Sequence, residues 1–278
     1  MIGHPIAHSV SPQMHNAALA GLTLDDDRFA DWKYFSFDVE PVRLPMALEL
    51  LLERGFRGVN LTVPHKVLAV ELATGLDEEA SEAGAVNTLS NVDGAWRGYN
   101  TDGYGLAAGI LEDLGLRLRA AHVVLLGAGG AARGAAVECL RVACASLSVV
   151  NRSRSSLDSL LQHLRPLARG IPVTALEPGH AGPPGAIVIN ATSLGLRADD
   201  PAPIDLASLG SAGAVYDMIY NHKRTKLLAQ ARSLGLPHAN GISMLVHQGA
   251  KALEIWTGMP SRRTAPTMRA AAVAALGY

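Results

Sequence analysis

A strand-like run, His122-Val-Val-Leu-Leu126, leads straight into Gly127-Ala128-Gly129-Gly130-Ala131-Ala132, which fits G-x-G-x-x-G/A and opens a helical pattern. Nothing else in the chain constrains its fold as strongly. The glycine spacing alone is common; a strand before it and a helix after it make it a dinucleotide-binding turn. Gly127 permits the tight turn, Gly129 lets backbone approach a pyrophosphate, and Ala132 lets helix pack closely on strand. The helix start, carried by Ala128, Gly130 and Ala131, then offers unpaired N–H groups and the positive end of its dipole to phosphates. A glycine-rich turn that binds nothing is the competing reading.

The next strand ends Val150-Asn151-Arg152-Ser153-Arg154. An NAD-selective site places Asp or Glu here, on the ribose 2′-hydroxyl. Two guanidinium groups and small hydroxyls instead suit a 2′-phosphate through charge-assisted hydrogen bonds. Asn151, Arg152, Ser153 and Arg154 therefore predict NADP. Against this stands an arginine pair that is merely solvated.

The surrounding pattern is α/β: strand-like runs alternate with helical ones along almost all of the 278 residues. Strands are expected at 34–39, 58–63, 85–89, 122–126, 147–150, 186–189 and 214–218, with helices at about 42–54, 65–73, 130–144, 155–168, 223–233 and 243–257. A helix also runs from Tyr99-Asn-Thr-Asp102 to about Leu114, and an Ala-rich helix ends the chain. With 49% hydrophobic and 18% charged residues there is ample core and little material for disorder. Lys and Arg total 24 against 25 Asp and Glu, a net charge of −1 that argues against a nucleic-acid binder. No apolar run is long enough to span a bilayer and no secretory segment opens the chain, so a cytoplasmic protein is expected. Cys139 and Cys144, five apart in an expected helix, make neither a disulfide framework nor a metal site.

Several polar clusters are not required by core packing: His8-Ser9-Val-Ser11-Pro12, Asn60-Leu-Thr62-Val-Pro64-His65-Lys66, Ala85-Val-Asn87-Thr88 and Tyr99-Asn100-Thr101-Asp102. Each sits at the end of an expected strand or the start of a helix, where loops bring side chains together. With the glycine turn, the Asn151–Ser153 segment and the late Gly241-Ile-Ser-Met-Leu-Val-His-Gln248 stretch, their order resembles the shikimate dehydrogenase family over residues 1 to about 248. The resemblance implies a substrate domain of residues 1–101, completed by C-terminal helices from 240, and a Rossmann-type NADP-binding domain of 102–239. A cleft between them would reduce 3-dehydroshikimate to shikimate with NADPH, in a monomer or homodimer.

The residues make chemical sense of that implication. Hydride delivery to a ketone leaves negative charge on oxygen, so a proton donor must stand beside it. Lys66 supplies an ammonium, and Asp102 orients it and accepts from a substrate hydroxyl; the resemblance makes these the catalytic pair. His65 competes for the proton role, but neighbours at a helix start point in different directions, so it reads as a supporting residue. Ser9 and Ser11 resemble the family's carboxylate-binding serines, although Ser11-Pro12 is also a good helix cap. Asn60, Thr62, Asn87 and Gln248 match hydroxyl and carboxylate contacts, and Tyr220 a substrate-side tyrosine. Thr192, in Asn190-Ala-Thr-Ser-Leu-Gly195, should border the adenosine or pyrophosphate, while Met218 and Gly241 match positions near the nicotinamide. Met218 could equally be core filler.

Three features depart from the family pattern. Met1 directly precedes Ile2-Gly3, which shortens the expected first strand and bears on where Ser9 and Ser11 lie. His222 replaces a common proline, and Asp25-Asp-Asp27 reads as a solvated loop. A quinate or aminoshikimate dehydrogenase using NAD is the nearest alternative; a non-catalytic nucleotide-binding regulatory protein is a more distant one.

Overall fold

Strand β1 (Ile2–Gly3) pairs in parallel with β2 (Phe37–Asp38), and Ile2 also bridges to Leu61. Helix α1 (Ser11–Thr23) lies between them in sequence. The strand expected over 34–39 thus has only two ladder residues, because β1 offers only two partners. Tyr34 is served instead by the Asn16 side chain, whose Oδ1 accepts the Tyr34 N–H at 2.8 Å and whose Nδ2 donates to the Tyr34 carbonyl at 2.9 Å. The computed structural model describes residues 1–7, 9–177 and 179–278; His8, part of the first polar cluster, lies outside the described residues. Two compact units result, Met1–Gly105 with Val246–Tyr278, and Leu106–Leu245.

In the first unit α2 (Leu44–Glu53) buries Leu44, Leu48 and Leu51, one stripe of its surface. Strand β3 (Gly58–Asn60) and α3 (His65–Leu72) follow as expected. Two elements follow that the pattern did not reveal, β4 (Gly75–Leu76) and α4 (Glu78–Ala83). Strands β5 (Thr88–Val92) and β6 (Ala95–Tyr99) form a hairpin through Asp93 and Gly94, both with positive φ (51° and 79°). The sheet order is β3-β5-β6-β4, packed over a core of Leu48, Val59, Leu61, Val86, Leu89 and Trp96. Ladder pairing starts at Thr88 rather than Ala85: the Val86 N–H donates to the Lys66 carbonyl (2.7 Å) and the Asn87 N–H to that of Tyr99 (3.1 Å). Those bonds pin the start of α3 beside the end of β6.

Helix α5 (Asp102–Leu114) carries the chain into the second unit. There β7 (His122–Leu126), α6 (Gly130–Arg141), β8 (Ser146–Val150), α7 (Arg154–Leu164), β9 (Val173–Ala175), β10 (Ile187–Asn190), β11 (Ala214–Asp217), α8 (Lys226–Ser233) and β12 (His238–Asn240) alternate. All six strands are parallel, in the order β12-β11-β10-β7-β8-β9. Numbered from β7, that is 3-2-1-4-5-6, the dinucleotide-binding order, and its switch point lies between β7 and β10. Val123 and Leu125 pack into one hydrophobic cluster and Val124 and Leu126 into another. A strand covered on both faces has no polar alternation, which is why β7 reads as a continuous apolar run. Helix α6 stops before Cys144 as Ala143 turns to φ 57°, and both cysteines are buried free thiols. Helix α8 starts at Lys226 instead of Lys223, because Thr225 Oγ1 accepts the Leu228 N–H at 3.3 Å and caps it there.

Helices α9 (Ile242–Thr257) and α10 (Ser261–Leu276) return the chain to the first unit, where α10 packs on α1. Trp256 Nε1 donates to the Leu89 carbonyl at 2.9 Å. Its ring fills the space that any side chain at position 58 would need, with a built Cβ only 2.0 Å from that nitrogen. The acidic run is also not simply solvated. Asp26 caps its own turn through Arg28, and Asp25 pairs with Arg263 on α10.

His15 of α1 is fully buried and stacks flat on Tyr34, ring centroids 4.1 Å apart with 5° between planes. Burial pushes its pKa from 6.5 down to about 3. The folded chain therefore holds His15 neutral where the unfolded chain protonates it, so stability falls as pH drops below 6.5. Between pH 6.5 and 5 this costs about 2 kcal/mol. The Tm of the wild type should fall relative to that of a His15→Phe variant as pH drops from 7 to 5, since only the wild type carries the penalty. A constant difference would show that His15 is not held neutral by burial.

Candidate active site

Lys66 is the second residue of α3, and Asp102 opens α5. Their meeting is set by the backbone bond from Val86 to Lys66 and by an Asx turn in which Asn100 Oδ1 accepts the Asp102 N–H at 3.0 Å. Lys66 Nζ donates to Asp102 Oδ2 at 2.6 Å, with side chains 24% and 15% exposed. The pair is sheltered yet reachable. Asn87 Nδ2 donates to the other carboxylate oxygen, Oδ1, at 2.9 Å and to Thr101 Oγ1 at 2.9 Å. Asn87 Oδ1 accepts the Thr101 N–H at 2.9 Å and the Thr88 hydroxyl at 2.9 Å. Asn60 Nδ2 donates to Thr88 Oγ1 at 2.9 Å and to the Asn87 carbonyl at 3.3 Å, and Asn60 Oδ1 accepts the Tyr34 phenol at 2.7 Å.

Four of the expected residues, Asn60, Lys66, Asn87 and Asp102, thus form one network within the first unit. Asn60 is buried and both amide hydrogens are committed internally, so only Oδ1 retains a lone pair for a substrate. Thr62 lies at the neighbouring strand end: its N–H donates to the Ile2 carbonyl at 3.0 Å, and its methyl occupies the space beside Gly3. His65 is fully buried, and its Nε2 donates to the Val39 carbonyl at 2.8 Å while Nδ1 has no partner. Burial lowers its pKa. It is a neutral support under α3, as its place next to Lys66 suggested.

Ser9 and Ser11 adjoin each other, the Ser11 N–H donating to Ser9 Oγ at 3.3 Å, and Ser9 Oγ donates to Met1 Sδ at 3.0 Å. Neither is bonded to the Asn87 network. The capping role open to Ser11 is not taken: Val10 precedes the helix with no side-chain cap, and Ser11 is already helical. Gln248 lies on α9 in the same unit, whereas Tyr220 follows β11 in the other; burial raises the Tyr220 pKa. Thr88, Thr101, Asn100 and Tyr34 were not assigned roles from the sequence. The first three stood inside quoted motifs; Tyr34 had no local signal.

In the second unit Gly127 has φ 112°, and a Cβ there would meet the Ala191 carbonyl oxygen at 3.1 Å. Gly129 is different. Its backbone is extended (φ −86°, ψ −170°), it precedes α6 with no side-chain cap, and a Cβ on it or on Gly130 would project into open space. Small residues kept where the fold does not demand them, at a helix N-terminus, fit a pyrophosphate. Ala128 packs on the core and Ala131 faces outward, while Ala132 is fully buried against it. Asn190 organises the facing loop: Thr192 donates its hydroxyl to Asn190 Oδ1 at 2.7 Å, and Asn190 Nδ2 donates to Asp217 at 2.8 Å. The Met218 carbonyl lies so near Gly241 that a Cβ would come within 2.2 Å of its oxygen.

The residues expected at the 2′-phosphate differ in how far they are engaged within the chain. Arg154 is engaged by Asp158 (3.0 Å) and Glu177 (3.0 Å), and Ser153 caps α7 by accepting the Ser156 N–H. Asn151 Nδ2 donates to the Ser153 carbonyl. Arg152 takes part in none of the ion pairs among the described residues. His222, where proline is common, donates to the Leu196 carbonyl at 2.8 Å, a bond proline cannot make. Among the described residues no three His, Cys, Asp or Glu side chains group as a metal site, and no helix is long and apolar enough to cross a membrane.

A model of the shikimate dehydrogenase substrate-binding domain matches residues 1–89, and one of the shikimate 5′-dehydrogenase C-terminal domain matches residues 241–272. The NADP(+) shikimate dehydrogenase of Symbiobacterium thermophilum is 39% identical over 283 aligned positions, covering 99% of this chain and 93% of its own. The chain belongs to the shikimate dehydrogenase family. Among solved structures, the Thermus thermophilus shikimate dehydrogenase in complex with NADP(H) and shikimate superposes with a TM-score of 0.82 at 33% identity, covering 97% of each chain. A 5-ketofructose reductase from a Gluconobacter strain superposes equally well, TM-score 0.83 at 31% identity over 96% of this chain and 95% of its own.

The two kinds of glycine separate experimentally. A Gly129→Thr variant keeps a favourable cap residue, so Tm should move by no more than about 3 °C, while the Kd for NADPH rises about tenfold or more. A Gly241→Ala variant should instead lose thermal stability, through the clash with the Met218 carbonyl. Reversal of that order, read by calorimetry and nucleotide titration, would refute the assignment.

Proposed function

We propose that this chain reversibly reduces 3-dehydroshikimate to shikimate with NADPH, in the cytoplasm and as a monomer or homodimer. The first unit binds the substrate and the second the nucleotide. The observation that carries the reading is the Lys66–Asp102 pair, 2.6 Å apart and part-buried, with the far carboxylate oxygen held by Asn87.

When bound, NADPH supplies a hydride to the carbonyl carbon. Lys66 spends one of its three N–H groups on Asp102 and turns another to the carbonyl oxygen, stabilising the charge that grows there and passing it a proton. In the reverse direction the neutral amine takes the hydroxyl proton. Asp102 holds the amine in place in both states and accepts from a neighbouring substrate hydroxyl. Ser9 and Ser11 take the ring carboxylate together with Gln248. Asn60 Oδ1, Thr62 and Asn87 meet hydroxyls, and Tyr220 completes the substrate side. The glycine turn from Gly127 to Ala131 holds the pyrophosphate, Arg152 the 2′-phosphate with Asn151 and Ser153 nearby, Thr192 borders the adenosine side, and Met218 and Gly241 border the nicotinamide.

The test is a rate matrix of shikimate, quinate, aminoshikimate and 5-ketofructose chemistry, each with NADP and NAD. The largest kcat/KM is expected for shikimate with NADP; a preference for quinate with NAD, or for 5-ketofructose, overturns the substrate assignment. Replacing Lys66 by Ala should cut kcat about a hundred- to ten-thousand-fold and leave NADP affinity unchanged; an unaltered kcat removes Lys66 from the reaction. On the nucleotide side, Arg152→Ala should raise KM for NADPH about tenfold and leave that for NADH unmoved. Arg154→Ala should do much less, because its guanidinium is already engaged by two carboxylates.

A further inference from the structure

The bonds running from Tyr34 to Asp102 all point one way. The Tyr34 phenol has one proton, and it goes to Asn60 Oδ1. With its oxygen end so committed, Asn60 turns its NH2 toward Thr88 Oγ1. Thr88, accepting there, gives its single proton to Asn87 Oδ1. Asn87 in turn presents NH2 to Asp102 Oδ1, which leaves Oδ2 for Lys66. Each carboxamide could lie either way round by shape alone. Reversing Asn87 would set its oxygen against Asp102 Oδ1 at the same 2.9 Å, acceptor against acceptor, and turn the carboxylate away from the amine.

We propose that Tyr34 and Thr88 are positioning residues of the reaction: their hydroxyl protons reinforce the Asn60 and Asn87 amide orientations that the Asn87 carbonyl and the Thr101 N–H favour, and so help keep Asp102 facing Lys66. Neither touches the Lys66–Asp102 pair itself. Two further features make the Tyr34 end dependable. Its ring is clamped by the flat stack on His15 and lies 6.2 Å from Trp256. Burial also raises the phenol pKa, so it stays a donor. Thr88 is fully buried, with no solvent to offer its hydroxyl another partner. The Asn87 carbonyl and the Thr101 N–H support the same amide orientations, so loss of one hydroxyl weakens the order without abolishing it.

The inference rests on the reaction proposed above, and its test keeps the two apart. Wild-type turnover of shikimate with NADP tests the reaction alone. Tyr34→Phe and Thr88→Val should each lower kcat about three- to tenfold, the worth of one buried hydrogen bond, with KM for NADP unchanged. Thr88→Ser, which keeps the hydroxyl, should restore wild-type kcat. The Tyr34→Phe/Thr88→Val double variant should lose much less than the product of the single effects, because both break one chain. Independently of turnover, the Asn87 side-chain amide resonance in a 15N spectrum should shift in Tyr34→Phe, although that ring lies beyond Asn60 and Thr88. Unchanged kcat in both single variants, multiplicative effects, or an unmoved Asn87 resonance would overturn the positioning role while leaving the proposed reaction standing.

Discussion

A carboxamide donates at one end and accepts at the other, and the buried side chain of Asn87 uses both at once. Its oxygen collects the Thr88 hydroxyl and the Thr101 N–H; its nitrogen serves Thr101 Oγ1 and Asp102. Through these bonds the ends of β5 and β6, the start of α5 and the carboxylate beside Lys66 share one fixed geometry. An unpaired buried polar group costs about 1–3 kcal/mol, so the arrangement is favourable only when complete. Lys66 reaches it by a different route, through the backbone of α3 pinned at Val86. The ion pair is therefore the meeting point of two segments both anchored on Val86-Asn87, and does not hold them together by itself.

The second unit solves a different problem with the same economy of parts. Its six parallel strands bury both faces, so side chains near the sheet are packing groups and binding must come from backbone and loop termini. Gly127 and Gly241 are demanded by the fold, one by its φ and the other by the neighbouring Met218 carbonyl; Gly129 and Gly130 are not. At Gly129 and Gly130 the open space lies at the N-terminus of α6, where backbone N–H groups are free to meet an anion. Asp217 shows the converse. It is fully buried, accepts from Asn190, Thr225 and the Ile219 N–H, and serves the loops around the turn. Burial raises its pKa.

The sequence revealed what depends on neighbours along the chain. Strand β7, the glycine turn, α6 and the Lys66 motif are local patterns, and they fold where they were expected. Elements set by distant partners were hidden. Helix α4 has six residues, starts Glu78-Glu79 under an Asp77 cap and has no apolar period to see. Strand β9 is three half-covered residues whose ladder is supplied by β8. Tyr34 looked like the start of a strand, and its role came from Asn16 and Asn60, 18 and 26 residues away. In the same way the pairing of Arg154 with Glu177, 23 residues on, had no local signal. Charge type was legible in advance; which charge would be taken was not.

The chemistry proposed at Lys66 is indifferent to most of the substrate. An ammonium and a carboxylate act on a carbonyl oxygen and one adjacent hydroxyl, groups that ring acids and keto-sugars both possess. A 5-ketofructose reductase and a shikimate dehydrogenase superpose on this chain with similar scores. Discrimination must come from what the other end of the molecule meets. In the proposed site that end meets Ser9 and Ser11, two hydroxyls beside a helix start, of which Ser11 is spared the capping duty its sequence suggested. A hydroxyl pair at the positive end of α1 favours a carboxylate over a neutral sugar hydroxyl. A site that desolvates polar groups for one anion penalises a ligand lacking it by leaving those groups unpaired. On the proposed reading, a preference for a ring acid would follow from these serines and the reduction itself from Lys66 and Asp102.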